Sequence, residues 1–565
     1  MTPPVRTLAE LGPIVPELFV VLGAFALLML DLFIDPRRRI ITHVLAVATL
    51  LGAAVMIAMG VGGQGSTLAD MFVRDAGADL LKVTGLIVAA IALGYAWAYL
   101  RERDLYQGEI PVLFLFTAAG MMLLVSANNL TMVYVGLELL ALCSYALVAC
   151  DRDNPLSSEA AMKYFVLGAL ASGMLLFGMS LVYGATGTLS LPGIHEAIGG
   201  LAGENRVLLL TGMVFLVVGI AFKFGAAPFH MWLPDTYHGA PTAITAFVSS
   251  VPKLAAFGMT WRLLETALGP VFEQTQLLLA LLAALSLVVG NLFAIAQTNL
   301  KRMLAYSTIS HVGFLFLGLA GGGPDGYAAA MFYAISYAIM SVAAFGAIVM
   351  LSRKGFEAEH IDDYKGLNQR SPWMAGLVLC IMASLAGVPP FLGFWAKLVV
   401  LQGALQGDLL WLAIVGIVFA VIGAFYYLRV IKVMYFDEPT GEAISTGNNR
   451  LVGVVLGVNS LALLVLPLVA AAIWWLFRRF GNGRVAASPT RWFWAIQLAL
   501  VTHPLLDAFT VYGTQLLWPF APPPAMWSSV FIIDPLYTVW LLIGVLVAAF
   551  AGPRLLGKRA IAVGL

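Results

Sequence analysis

The stretch FKFGAAPFHMWLPDTYHGAPTAITAFVSSVPKLAAF, Phe222–Phe257, decides how the chain is read. It is apolar enough to lie in a bilayer, yet it carries Lys223 and Lys253 and is interrupted by Gly225, Pro228 and Pro252. A charge deep in a bilayer costs several kcal/mol unless it is paired or hydrated. A proline inside a helix frees a backbone carbonyl, which is tolerated only where protein or water satisfies it. Buried lysines beside helix breaks therefore point to a polar site inside a membrane protein.

Outward from this stretch the chain is uniformly apolar: 61% of its 565 residues are hydrophobic and 11% charged, and its mean hydropathy is +0.93. Length then counts bilayer crossings of ~20 residues each rather than soluble domains. Apolar runs cover roughly 14–34, 41–60, 80–100, 110–128, 130–150, 160–186, 207–227, 241–266, 276–297, 302–321, 327–352, 373–405, 409–436 and 450–477, about fourteen spans. Two more candidates lie near 492–518 and 530–551. The first run follows Glu10 and contains Glu17, and is long enough to stay in the membrane rather than act as a cleaved leader. The fold class expected is all-α and polytopic. A net charge of +1 offers nothing to nucleic acid, and Cys143, Cys150 and Cys380 are too scattered for a disulfide set, a zinc site or an iron–sulfur cluster.

Lys and Arg in the loops set the orientation. Odd-numbered loops hold fifteen, against four (Arg74, Lys82, Arg206 and Arg262) in the even ones, so odd loops face the cytoplasm and the N-terminus lies outside. After fourteen crossings the chain should again be outside, yet Arg478, Arg479, Arg484 and Arg491 cluster there. Either the count is off by one or the tail has a different origin, and the second is favoured.

Five charges fall inside spans: Glu138, Lys163, Lys223, Lys253 and Lys397. Lys397 follows a second break at Gly387, Pro389, Pro390 and Gly393. Paired Pro/Gly interruptions in two halves of a membrane protein point to inverted repeats around a mid-membrane site, here spans four to eight and nine to thirteen. A buried lysine holds or releases a proton according to its hydration and the nearness of a carboxylate, so Glu138 with Lys223 is the expected switch. Lys253 and Lys397 would continue the path, with His230, His311, Ser307 and Tyr337 as relay. Lys163, near the start of its span, fits a snorkelling side chain as well. His230 and His311 fit a hydrogen bond to broken backbone equally well. Lys301 and Arg302 read as marking a cytoplasmic helix end, and Glu17 and Asp31 as interfacial groups.

The opening stretch, together with AIAQTNLKRMLAYSTISHVGFLFLG (294–318) and DDYKGLNQRSPW…SLAGVPPFLGFWAKL (362–398), resembles the antiporter-like proton-conducting subunits of bacterial respiratory complex I, the NADH-quinone oxidoreductase. SEAAMKYFVLGALASGMLLFGMSLVYGATGTL (158–189) and PDTYHGAP (234–241) resemble subunit N rather than L or M. The resemblance covers residues 1 to about 465. It implies a fourteen-helix fold with two inverted repeats, a proton path on Glu138, Lys223, Lys253 and Lys397, and a bacterial inner-membrane location. It also implies partners of the M, L, K, J, A and H types, with NADH, FMN, iron–sulfur clusters and quinone bound by the rest of the complex and no cofactor in this chain.

The tail departs from that pattern. Residues 466–490 form an Arg-rich junction, and 491–565 resemble a fragment of the membrane-bound metal-dependent hydrolases, adding one or two helices. His503 and Asp507 are four residues apart and would share a helix face, but a catalytic zinc needs about three protein ligands; an inert fused fragment is expected. Two other functions stay open: the D-type component of a multisubunit sodium/proton antiporter, and hydrolase activity in the tail.

Overall fold

A computed structural model describes residues 8–439 and 452–464, with Pro467. The junction and tail expected beyond 465, with His503 and Asp507, otherwise lie outside the described residues. The described part belongs to one unit, Met1–Val469.

The helices are α1 (Val15–Asp31), α2 (Ile40–Ala58), α3 (Ala76–Glu102), α4 (Glu109–Val125), α5 (Leu130–Val148), α6 (Pro155–Thr186), α7 (Leu191–Ile198), α8 (Gly203–Phe224) and α9 (Trp232–Gly239). They continue as α10 (Thr242–Val248), α11 (Val251–Trp261), α12 (Phe272–Ile295), α13 (Leu300–Gly321), α14 (Gly323–Leu351), α15 (Leu367–Arg370), α16 (Pro372–Ala386), α17 (Leu392–Gln406) and α18 (Leu410–Phe436), then α19 (Val452–Leu464). Eleven of the described helical segments are long and apolar enough to cross a membrane, and three shorter apolar helices, α4, α16 and α19, accompany them. Each expected run from 14–34 to 409–436 finds its helix, and those at 207–227 and 373–405 break where Gly and Pro were read; the run at 450–477 is described only as far as α19 and Pro467, and the candidates near 492–518 and 530–551 lie outside the described residues. A departure from all-α is a small antiparallel hairpin of β1 (Gly65–Thr67) and β2 (Phe72–Arg74).

Local chemistry sets the ends. Asp75, Asn129, Asn154 and Asn299 cap α3, α5, α6 and α13 by accepting first-turn N–H groups, satisfying donors that have no partner within the helix. Pro252, expected to kink a span, instead sits at the start of α11, and the chain breaks just before it at Ser249–Ser250.

Depth separates the helices. In their most apolar stretches Thr242–Ala267 is wholly buried, Leu300–Gly321 94% and Gly323–Leu351 89%, whereas Glu10–Asp31 and Leu410–Phe436 are 33% buried. The centre is therefore α10, α11, α13 and α14, which carry Lys253, His311 and Tyr337. Backbones approach closely where glycines face each other: a Cβ on Gly178 of α6 would lie 2.8 Å from the Gly212 carbonyl oxygen of α8.

Three of the four positive residues counted on the outer side are neutralised. Lys82 pairs with Glu17 at 2.6 Å, Arg74 with Asp79 at 2.7 Å and Arg262 with Asp75 at 2.7 Å. Glu17 is thus not interfacial: its side chain is 3% exposed and that of Lys82 1%. α1 packs on α2 and α4, which both pack on α3, and this brings the two together, which hydropathy alone does not reveal. Asp31 is as expected, at a helix end beside Arg39 and Thr42.

Candidate proton-conducting site

The first break is built from the C-terminus of α8. Gly225 takes the left-handed conformation at φ 73° and turns the chain. The last carbonyls of α8 all find donors. Ala226 N–H donates to Ala221 O, and both Gly225 N–H and the Trp232 indole donate to Phe222 O. Lys253 Nζ donates to Phe224 O at 2.6 Å and to Lys223 O at 3.3 Å. Lys253 is 2% exposed and stands 5.1 Å from the centre of the Trp232 ring. Its ammonium sits at the negative end of the α8 dipole with a π face beside it, two interactions that favour a cation without any counter-ion.

Lys223, on the last turn of α8, donates to Ser172 Oγ of α6 at 3.3 Å. It lines a small cavity with Lys253, Tyr164, Trp232, Leu137 and Ala141. Glu138 of α5 lies between Leu137 and Ala141, which line the same cavity as Lys223, but no hydrogen bond or ion pair joins the two, and Glu138 Oε1 is buried without a hydrogen-bond partner. The expected pair is therefore near but unjoined, with the cavity wall of α5 beside Lys223.

The second break repeats the first. Gly387 turns the chain at φ 85° after α16. Gly387 and Val388 N–H groups donate to Ala383 O and Ser384 O. Lys397 of α17 donates to Leu385 O at 3.1 Å and Ala386 O at 2.8 Å. Lys397 is 8% exposed and 5.2 Å from the centre of the Phe314 ring. A buried lysine, a half-helix C-terminus and an aromatic face recur together.

In the central layer hydroxyls and an imidazole form three separate hydrogen-bonded groups. Ser341 donates to Ser249 at 2.8 Å, and Tyr337 to Thr308 at 2.7 Å. His311 Nδ1 is 2.6 Å from the Tyr333 hydroxyl, and Nε2 3.1 Å from the Tyr427 hydroxyl, which also bonds Ser307. Three of the four expected relay residues, His311, Ser307 and Tyr337, thus lie in this central layer. His230 does not: its Nδ1 is buried without a partner in the first break. Lys163 lies apart, 42% exposed and paired at 2.7 Å with both Glu159 and Asp235.

Tyr333, Tyr427, Thr308, Ser249 and Ser341 were not singled out from the sequence. A tyrosine or serine in a span costs little and so leaves no signal; only the partners across helices mark these five. Among the described residues no three His, Cys, Asp or Glu side chains gather as a metal site.

A family model described as NADH:quinone oxidoreductase/Mrp antiporter, TM, matches residues 127–423, and one described as YdjM inner membrane protein matches 462–564. NADH-quinone oxidoreductase subunit N of Xanthomonas euvesicatoria pv. vesicatoria is 66% identical over 477 residues, 84% of this chain and 98% of that protein. Among solved structures, a chain of respiratory complex I from Thermus thermophilus with bound aureothin is 30% identical, with TM-score 0.68 over 80% of this chain and 97% of its own. A chain of the Mrp complex from Dietzia sp. has TM-score 0.72 at 22% identity over 83% and 96%, a likeness of fold alone.

Proposed function

The chain belongs to the NADH-quinone oxidoreductase subunit N family, and from that premise we propose that Glu138, Lys223, Lys253 and Lys397 carry its protons. It is a proton-translocating, multi-pass subunit of a bacterial inner membrane, partnered by other membrane subunits of the complex. NADH, FMN, the iron–sulfur clusters and quinone are assigned to those partners, whose electron transfer drives this subunit as part of a translocase.

The observation that carries the residue assignment is the repeated cap: Lys253 on the carbonyls of Lys223 and Phe224, and Lys397 on those of Leu385 and Ala386. A carbonyl-capped ammonium is held by dipoles rather than by a carboxylate. It can give up its proton without stranding a buried anion, and the neutral amine can take a proton back. Ser172 and the cavity at Lys223 provide room for water beside the first lysine, and the unpartnered Glu138 oxygen is free to approach it. His311, with its two tyrosine partners, lies between the two caps and can accept on one nitrogen while donating from the other.

Replacing Lys223 by Ala in the assembled complex is the test. NADH-driven acidification of inverted vesicles should collapse while the complex stays whole on a native gel. Undiminished pumping per assembled complex would refute the path.

The likeness to the Mrp structure keeps one second reading in view, a stand-alone sodium/proton antiporter component. Tagged protein drawn from its own membranes with flavin- and cluster-bearing partners supports the first reading; recovery with antiporter subunits alone supports the second. Residues 466–565 we read as a fused fragment of another membrane family, a reading supported by the match over 462–564. A metal assay with and without His503→Ala tests whether it binds an ion, and none is expected.

A further inference from the structure

Lys301 shares the chemistry of the two capping lysines at a place the path above does not reach. It lies in the first turn of α13, beside exposed loop residues, yet is 4% exposed. It stands at a helix end, as read from the sequence, but buried there. Its Nζ donates to Ala240 O at 2.9 Å, and Ala240 is the C-cap of α9. Among the described residues no carboxylate lies within ion-pair distance of it. Lys301 thus holds the C-terminal end of the half-helix whose other end adjoins the Lys253 cap through Trp232. Arg302, its neighbour, is used differently, paired with Asp235 at 3.0 Å.

The half-helix between the two lysines is eight residues long, about 12 Å at 1.5 Å per residue. Toward its C-terminal end, sixth of the eight, Tyr237 is fully buried, and its hydroxyl has no hydrogen-bond partner. Thr245 Oγ1 reaches Tyr237 O at 3.1 Å and Ala240 O at 3.4 Å. On the side that the loop charges assign to the cytoplasm, the N–H of Leu300, next to Lys301, donates to Glu359 O. Glu357 accepts from Tyr99 and Thr242 and pairs with Arg103 at 2.9 Å. Glu359 lies 3.6 Å from His238, and both are about a quarter exposed.

We propose that Lys301 is a proton-carrying residue on the cytoplasmic side of the path. It takes a proton from water at Glu359, His238 and Glu357 and passes one along α9, past the Tyr237 hydroxyl, to Lys253. The step conserves charge. An N–H bond of the Lys301 ammonium breaks, an N–H bond forms on the neutral Lys253 amine, and the Lys301 amine left behind is refilled from the carboxylate side.

The inference rests on the proposed role of Lys253, and the experiment separates the two. Intact complex carrying Lys301→Arg, Lys301→Ala, Tyr237→Phe or Lys253→Ala is placed in liposomes, and proton uptake is measured per NADH oxidised. Arginine keeps a cationic cap on Ala240 O but does not release a proton in a protein. Lys301→Arg, Lys301→Ala and Tyr237→Phe should all assemble and pump at the reduced level of Lys253→Ala. Wild-type pumping by Lys301→Arg beside a silent Lys253→Ala overturns this inference alone, leaving Lys301 a structural cap. Full pumping by Lys253→Ala overturns the path and this inference with it. If the arginine prevents assembly, Tyr237→Phe decides: it removes one hydroxyl only, and wild-type pumping by it overturns the route.

Discussion

Gly387→Ala should silence the second capping lysine without touching it. Gly387 sits at φ 85°, and a Cβ there would lie 2.9 Å from Lys397 Cδ, 3.1 Å from Nζ and 3.3 Å from Cε. Left-handed backbone costs a non-glycine residue about 1–2 kcal/mol. The added methyl also pushes the lysine away from Leu385 O and Ala386 O, and one lost hydrogen bond to a charged group costs about 1.5–3 kcal/mol. Displacement alone therefore lowers the capped population about 10- to 150-fold, at tenfold per 1.36 kcal/mol. Backbone strain is shared with Gly355→Ala, at φ 81° with nothing within 4 Å of its Cβ. The pair separates strain from displacement. Proton pumping in inverted vesicles, divided by complex content on a native gel, should fall severalfold for Gly387→Ala and stay near wild type for Gly355→Ala. Equal pumping by the two variants would refute the claim that the cap on α16 matters for transport.

Tyr427→Phe removes the hydroxyl shared by His311 and Ser307; pumping should drop with assembly intact, and unchanged vesicle acidification would remove Tyr427 from the relay. Lys82→Met leaves Glu17 as a buried unpaired carboxylate, a loss of about 3–5 kcal/mol, which should appear as less of the protein in membranes by immunoblot. The double variant with Glu17→Leu should recover most of that amount, and failure to recover would show that the pair does more than balance charge.

How much was legible in the sequence follows from the range of each interaction. The breaks after α8 and α16 were readable because Gly225, Gly387 and the neighbouring prolines act on their own backbone, through φ and a missing N–H. Lys223, Lys253 and Lys397 were readable because a charge in a span is costly wherever it points.

What each lysine faces was decided only by tertiary packing. Lys253 meets carbonyls 29 and 30 residues away in the chain, and His311 meets Tyr427 at a separation of 116. Hydroxyls and carbonyls carry no net charge, so nothing in composition distinguishes a tyrosine in the relay from one in the core. The burial of Glu17 and Lys301 was not legible because nearness to a span end suggests water, whereas the packing of helices distant in sequence, such as α13 on α9, removes it. Glu138 and Lys223 were correctly placed in one neighbourhood, but their separation depends on how α5 and α8 sit against α6, and no local rule sets a distance between helices.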